Sequence, residues 1–209
     1  MFRGGRKVVP LLARYRAAYE RVTIPLGKIC LRLGLVPDML TVISLIFGFI
    51  SAYLLAQGAF IWAIPTILIM GLFDVLDGAT ARAGGTANAY GTVLDHTVDR
   101  YVEFLILLGI SISGSVSSIW VIFSLFGMVM ASYVRARAES TGVVKSCNVG
   151  FAGRQEKIAL LLFGMILQSF FINSRYLEWM VILCGILSHL TALQRIIYTR
   201  RVVFKGNLY

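Results

Sequence analysis

The sequence predicts an all-α integral membrane protein: six transmembrane helices preceded by an N-terminal amphipathic interfacial helix. Three observations carry that expectation. Hydrophobic residues make up 58% of the 209 and charged residues only 14%, whereas about a quarter of the residues in a soluble domain are charged. Six apolar runs approach the roughly 20 residues that a helix needs to cross a hydrocarbon core. The Lys and Arg residues fall between those runs rather than along one polar domain. The net charge of +10 is therefore a topology signal and not the footprint of a nucleic-acid partner.

Residues 1–36 read as a basic amphipathic juxtamembrane segment. Val8, Leu11, Leu12, Tyr15, Tyr19 and Val22 recur at helical spacing, with Arg14, Arg16 and Arg21 between them, as in a helix lying in the membrane interface. A plain basic tail is the alternative. No apolar stretch ending in a small-residue cleavage site follows the first positive charges, so insertion is expected to rely on the first spanning helix. Residues 37–209 hold the spans, expected at about Asp38 to Ala56, Phe60 to Arg82, Asn88 to Ile112, Ser117 to Ala138, Arg154 to Ile172 and Tyr176 to Tyr198. Gly58 and the run Ser113 to Ser115 mark two of the turns.

The basic residues test this layout independently, because cytoplasmic loops carry the Lys/Arg excess. Eight precede Pro37, five lie from Arg135 to Lys157, four from Arg195 to Lys205, and Arg82 and Arg100 flank the second connection; only Arg175 falls on the far side. Both termini and the loop from Arg82 to Tyr90 are expected to face the cytoplasm. Cys30, Cys147 and Cys184 are odd in number and lack CxxC spacing, so neither a disulfide framework nor a zinc site is expected.

The sequence contains only ten acidic residues, yet Asp74, Asp77, Asp95 and Asp99 all sit in segments expected within the membrane. A buried Asp at a helix centre costs about 2.5 to 3.5 kcal/mol on insertion scales, so four unneutralised would approach 10 kcal/mol. That rivals a net folding stability of roughly 5 to 15 kcal/mol, so compensation is required. Spacing makes it specific: Asp74 and Asp77 are three apart and Asp95 and Asp99 four apart, so each pair projects from one helix face. A short connection is expected to make the two helices antiparallel neighbours with converging carboxylates. Hard divalent cations prefer all-oxygen ligands, and Mg²⁺ is the natural candidate. Gly78, Ala81, Gly84, Gly85 and Gly91 leave space beside the acids, for a bulky ligand or for close helix approach.

The run Asp74-x2-Asp77-Gly78-x2-Ala81-Arg82-x8-Gly91-x3-Asp95-x3-Asp99 resembles the signature of the CDP-alcohol phosphotransferase family at every fixed position. The resemblance implies a homodimer of six-helix subunits, a cavity open to the cytoplasm, and catalysis within residues 37–209. It implies that the four aspartates bind two metal ions, Mg²⁺ or Mn²⁺, on the CDP diphosphate, with Asp99 as general base on the acceptor hydroxyl. Asp74, Gly78 and Arg82 would contact the CDP group, Arg82 reaching phosphate oxygens from a helix end. Pro37, Asp38 and Thr41 open the first span much as in family members, where Asn more often stands at the Asp38 position. The resemblance puts Asp38 and Thr41 near the cytidine; an N-cap role is the alternative for Asp38.

The acceptor is read outside this run. Members using glycerol phosphate tend to carry Pro after the third aspartate and Asp-Lys at the end, whereas this chain reads Asp95-His96-Thr97-Val98-Asp99-Arg100. His96 reads as a hydrogen-bonding neighbour rather than a catalyst. Ser132 to Glu139, followed by Gly153-Arg-Gln-Glu-Lys157, is similar to the inositol-phosphate-using branch; Arg154 and Glu156 match it, while Gly153, Gln155 and Lys157 depart. Arg135, Arg137, Arg154, Lys157 and Arg195 share one predicted depth and suit recognition of a phosphomonoester, with backbone donors at the helix start beside Arg154. The expected reaction transfers a phosphatidyl-type group from a CDP-lipid, CDP-diacylglycerol or CDP-archaeol, to inositol 1-phosphate in phospholipid biosynthesis, releasing CMP. The rivals are glycerol phosphate as acceptor, a soluble CDP-inositol donor and, from another class, a cation transporter. A transporter predicts acids reaching both leaflets, whereas these cluster toward one side.

Overall fold

Apolar runs separated by turn residues and basic loops fold into helices along the whole described chain. The computed structural model describes residues 16–171 and 173–206, with side chains over 22–171 and 173–204. Among them are seven helices and no strand: α1 (Arg16–Arg32), α2 (Pro37–Ala56), α3 (Phe60–Gly84), α4 (Ala89–Ile112), α5 (Ser118–Ser140), α6 (Arg154–Phe170) and α7 (Tyr176–Gly206). The six expected spans correspond to α2 through α7. Four helices are long and apolar enough to cross a membrane: α2, α3, α5 and the Tyr176–Phe204 part of α7. The other two fall short of that measure for separate reasons. α4 carries Asp95, Asp99, Arg100 and Glu103 over its first two thirds, and α6 has 17 residues, four of them polar in its opening turn.

The helices form two groups. In the first, α3 and α4 both pack on α2, and α1 packs on α3; in the second, α5 and α6 both pack on α7. The groups meet where α3 faces α6 and α4 faces α5. The expectation that α3 and α4 neighbour one another along their length is therefore corrected, because α2 stands between them. Residue size is the reason. Ser44, Gly48 and Ser51 belong to the buried stripe of α2, and a Cβ on Gly48 would stand 3.1 Å from Val102 Cγ2. On α4, a Cβ on Gly109 would stand 2.6 Å from the Ala52 carbonyl oxygen. Small residues let helix backbones approach closely, which in lipid is the main source of association. Ser51 Oγ and Thr66 Oγ1, 2.8 Å apart, add a polar link from α2 to α3.

The turn between α3 and α4 brings the two acidic pairs to the same end of the bundle. Gly85 ends α3 with a φ of +65°, a left-handed geometry that a Cβ disfavours. Gly84 lies against α1, where a Cβ would stand 3.3 Å from Leu31 Cδ1. This glycine pair thus serves chain reversal and packing. Asn88 caps α4, its Oδ1 accepting the Gly91 N–H at 2.8 Å.

Of the residues expected to form the N-terminal amphipathic stripe, Val8, Leu11, Leu12, Arg14 and Tyr15 lie outside the described residues. The stripe's period continues into α1. Val22, Leu26, Ile29 and Leu33 are exposed along one face, while Thr23, Gly27 and Cys30 are buried on the other. Gly27 meets α3 backbone to backbone: a Cβ there would stand 2.5 Å from the Ala79 carbonyl oxygen.

Residues 141–153, between α5 and α6, fold back over α7. The Cys147 N–H donates to Glu139 Oε1 at 2.9 Å, and Arg195 donates from Nε to the Val149 carbonyl at 3.0 Å and from Nη1 to the Ala131 carbonyl at 2.6 Å. All three cysteines are free and buried.

Candidate active site

Helical spacing puts Asp74 and Asp77 on one side of α3 and Asp95 and Asp99 on one side of α4, and one aspartate of each pair, Asp74 and Asp99, meets α6 of the second helix group. Asp77 and Asp99 are buried, and the charges of Asp74 and Asp95 act on both. Asp77 accepts at Oδ2 from Thr41 Oγ1, in the second turn of α2, at 2.6 Å, closer than the 3.3 Å from that hydroxyl to the Pro37 carbonyl. Asp95, His96 and Asp99 can each present one ligand atom with all three within 4.8 Å of one another. His96 itself is largely exposed, its Nδ1 3.5 Å from Asp95 Oδ2.

The second helix group contributes a cation to this cluster. Arg154, the first residue of α6, places Nη1 2.7 Å from Asp74 Oδ2 and 2.7 Å from Asp99 Oδ1. Its Nε lies 3.9 Å from Glu103 Oε1. Glu103 is only 2% exposed, and its other oxygen accepts from Arg100 Nη1 at 2.5 Å. Lys157, one turn into α6 and also buried, lies within electrostatic reach of Glu103. A carboxylate this deep is tolerable only when paired and hydrogen-bonded, and three cations surround it. Glu103 escaped the sequence reading, although the series 95, 99, 103 at i, i+4 and i+8 holds the signal.

The remaining predicted residues take distinct places. Asp38 follows Pro37 in the first turn of α2, behind Val36 at the N-cap, so it complements the helix dipole rather than capping it. It sits opposite the first turn of α4, its Oδ1 3.9 Å from where a Gly91 Cβ would stand. Arg82 folds back across Gly78; a Cβ there would meet Arg82 Nη1 at 3.1 Å. Arg135 Nε lies 3.2 Å from Glu139 Oε1, and Arg137 is exposed at the end of α5. Arg195 is buried, with two of its nitrogens on backbone carbonyls.

Asp95 and Asp99 lie together, and Asp74 meets the same guanidinium nitrogen as Asp99; oxygen-rich groups of this kind suit a hard divalent cation. Asp99 Oδ1, buried without an aligned hydrogen-bond donor, fits such an ion. Acids able to hold metal beside cations able to hold phosphate form a site for moving a phosphorus-linked group.

Residues 34–203 match the CDP-alcohol phosphatidyltransferase family. The chain belongs to this family. The matched region includes residues 74–99, and the protein is a transferase enzyme. It is 32% identical over 188 residues to the archaetidylinositol phosphate synthase of Methanothermobacter thermautotrophicus, an alignment covering 90% of this chain and 93% of that one. Its fold is similar to the crystal structure of Mycobacterium tuberculosis phosphatidylinositol phosphate synthase with CDP-DAG bound, with a TM-score of 0.76 and 29% identity, covering 86% of this chain and 94% of that one. The same Mycobacterium enzyme in complex with manganese and citrate also gives a TM-score of 0.76, at 28% identity over 85% of this chain and 88% of that one.

Proposed function

We propose that this CDP-alcohol phosphatidyltransferase transfers a phosphatidyl-type group from a CDP-lipid to inositol 1-phosphate and releases CMP. The observation that carries the acceptor assignment is the placement of Arg154 and the buried Lys157 in the opening turn of α6, with Arg154 against the aspartate cluster. A guanidinium and an ammonium placed together suit recognition of a phosphate, and the phosphomonoester of the acceptor supplies it. The similar inositol phosphate lipid synthases support the same reading.

Asp74, Asp77, Asp95 and Asp99 would hold two divalent ions, Mg²⁺ or Mn²⁺, which when bound stabilise negative charge on the donor diphosphate. Asp99 accepts the proton of the attacking inositol hydroxyl. The new oxygen bond forms at the β-phosphorus, the bond to CMP breaks, and CMP leaves with the electron pair. Asp38, Gly78 and Arg82 line the CDP side; Arg82 folded over Gly78 is placed to move onto a phosphate. Arg154, Lys157, Arg135 and Arg137 serve the acceptor side, where Arg195 also holds the wall formed by Val149.

Purified protein incubated with CDP-lipid, Mg²⁺ and labelled inositol 1-phosphate is expected to give labelled lipid and an equal amount of CMP. Product from glycerol phosphate, with none from inositol 1-phosphate, would overturn the acceptor assignment. Thr41→Val keeps the shape of the side chain and removes the donor to Asp77. A hydrogen bond to a charged group contributes about 1.5 to 3 kcal/mol, so the Mg²⁺ concentration for half-maximal CMP release should rise about tenfold or more. An unchanged Mg²⁺ response with a raised CDP-lipid KM would place Thr41 on the nucleotide instead.

The same reading places six helices across the bilayer. With a rise of 1.5 Å per residue, α4 spans about 36 Å, and its charges crowd toward the end that carries the aspartates. Both termini and the site then face the cytoplasm, in keeping with the Lys/Arg bias. Residues 1–36 form a juxtamembrane segment whose exposed face, Val22, Leu26, Ile29 and Leu33, lies in the interface, and residues 37–209 form the catalytic domain. The family resemblance extends the proposal to a homodimer.

A further inference from the structure

Arg154 Nη1 stands 2.7 Å from an oxygen of each of two aspartates, one from each acidic pair. A guanidinium nitrogen and a divalent cation compete for those oxygens, because both are positive and within ligand distance their repulsion is strong at low dielectric. On the other side of the same guanidinium, Arg154 Nε and Glu103 Oε1 are both buried, both lack a hydrogen-bond partner among the described residues, and face each other at 3.9 Å. Glu103 Oε2 is fixed by Arg100, so Oε1 offers a pre-positioned acceptor about one ångström too far for a hydrogen bond.

We infer that Arg154 is a two-position side chain that competes with a divalent cation for Asp74 and Asp99, and that Glu103 is the positioning residue that receives it when the cation enters. In the first position Arg154 neutralises two aspartates and ties α6 to α3 and α4. In the second it bonds through Nε to Glu103 and turns its terminal nitrogens toward Lys157 and the acceptor side. Metal entry and assembly of the phosphate-binding side are then one equilibrium, and whatever favours one favours the other to the same degree. The inference rests on the metal-binding reading proposed above but not on the identity of the acceptor.

The test measures Mn²⁺ affinity by electron paramagnetic resonance on the full chain in detergent, without lipid donor or acceptor. Arg154→Gln removes the competitor, and its Mn²⁺ Kd should fall about fivefold or more. Glu103→Gln removes the second position, leaves Arg154 on the aspartates and should raise the Kd by a similar factor. The double variant decides the matter. If Glu103 acts through Arg154, its substitution has no effect once Arg154 is gone, and the double variant binds like Arg154→Gln. Equal effects of Glu103→Gln in both backgrounds mean through-space attraction alone and overturn the inference, as does an unchanged or higher Kd in Arg154→Gln. Absence of saturable Mn²⁺ binding in every variant and in the wild type overturns the metal reading as well. If Glu103→Gln does not yield monodisperse protein, Glu103→Asp, which keeps the charge and shortens the reach, should raise the Kd; an unchanged value overturns the proposal.

Discussion

Asp99→Asn is expected to lower the rate of CMP release by about 10²- to 10⁴-fold, the range for losing a positioned general base, without lowering the thermal stability of the protein. The substitution keeps the shape of a buried side chain but cannot take the acceptor proton. It also removes one of several like charges held together, since Asp74 and Asp95 both act on Asp99. Arg154 keeps its contact with Asp74 at 2.7 Å, so α6 stays tied to α3. A thermal midpoint equal to or above wild type, together with lost turnover at saturating substrates, is the expected pair of results. A loss under about tenfold would remove Asp99 from the role of base. A fall in both quantities would mean that the aspartate holds the bundle together.

Gly109→Leu is expected to have the largest effect on folding, far from the chemistry. A Cβ at this position would stand 2.6 Å from the Ala52 carbonyl oxygen, 2.8 Å from Leu55 Cβ and 3.0 Å from Ala52 Cα. Two of those three atoms are backbone, so no rotamer change relieves the clash and α4 must move away from α2. Overpacking of this kind costs about 1 to 3 kcal/mol and more where backbone must shift. Gly71→Leu is the control: nothing stands within 4 Å of its Cβ position, and it should behave like wild type. Thermal unfolding followed by tryptophan fluorescence separates the two. Equal midpoints for both variants would show that the contact between α2 and α4 is not the tight seam described here.

Helix existence and approximate limits were legible because hydropathy is a local property: a run such as Thr41 to Ala56 has few other ways to satisfy its backbone in lipid. The acidic pairs were legible because the helical period puts residues three and four apart on one face. Glu103 was missed for a related reason. It sits one turn beyond Asp99, outside the signature, and its weight comes from burial and from Arg100, Arg154 and Lys157, which local spacing does not reveal. Gly84 and Gly85 stayed ambiguous in the sequence, since a glycine that makes room for a ligand and one that ends a helix look alike until φ is known.

An all-helical membrane enzyme with four aspartates paired on two helices can be read from the chain alone, because helical period, apolar run length and loop charge are all written locally. That α2 separates α3 from α4 emerges from packing, since it depends on which small-residue seams fit best. Packing also decides which cation meets which acid. Arg154 reaches an aspartate 80 residues earlier in the chain, a pairing that follows from how one helix group faces the other and from the need to neutralise charge taken out of water.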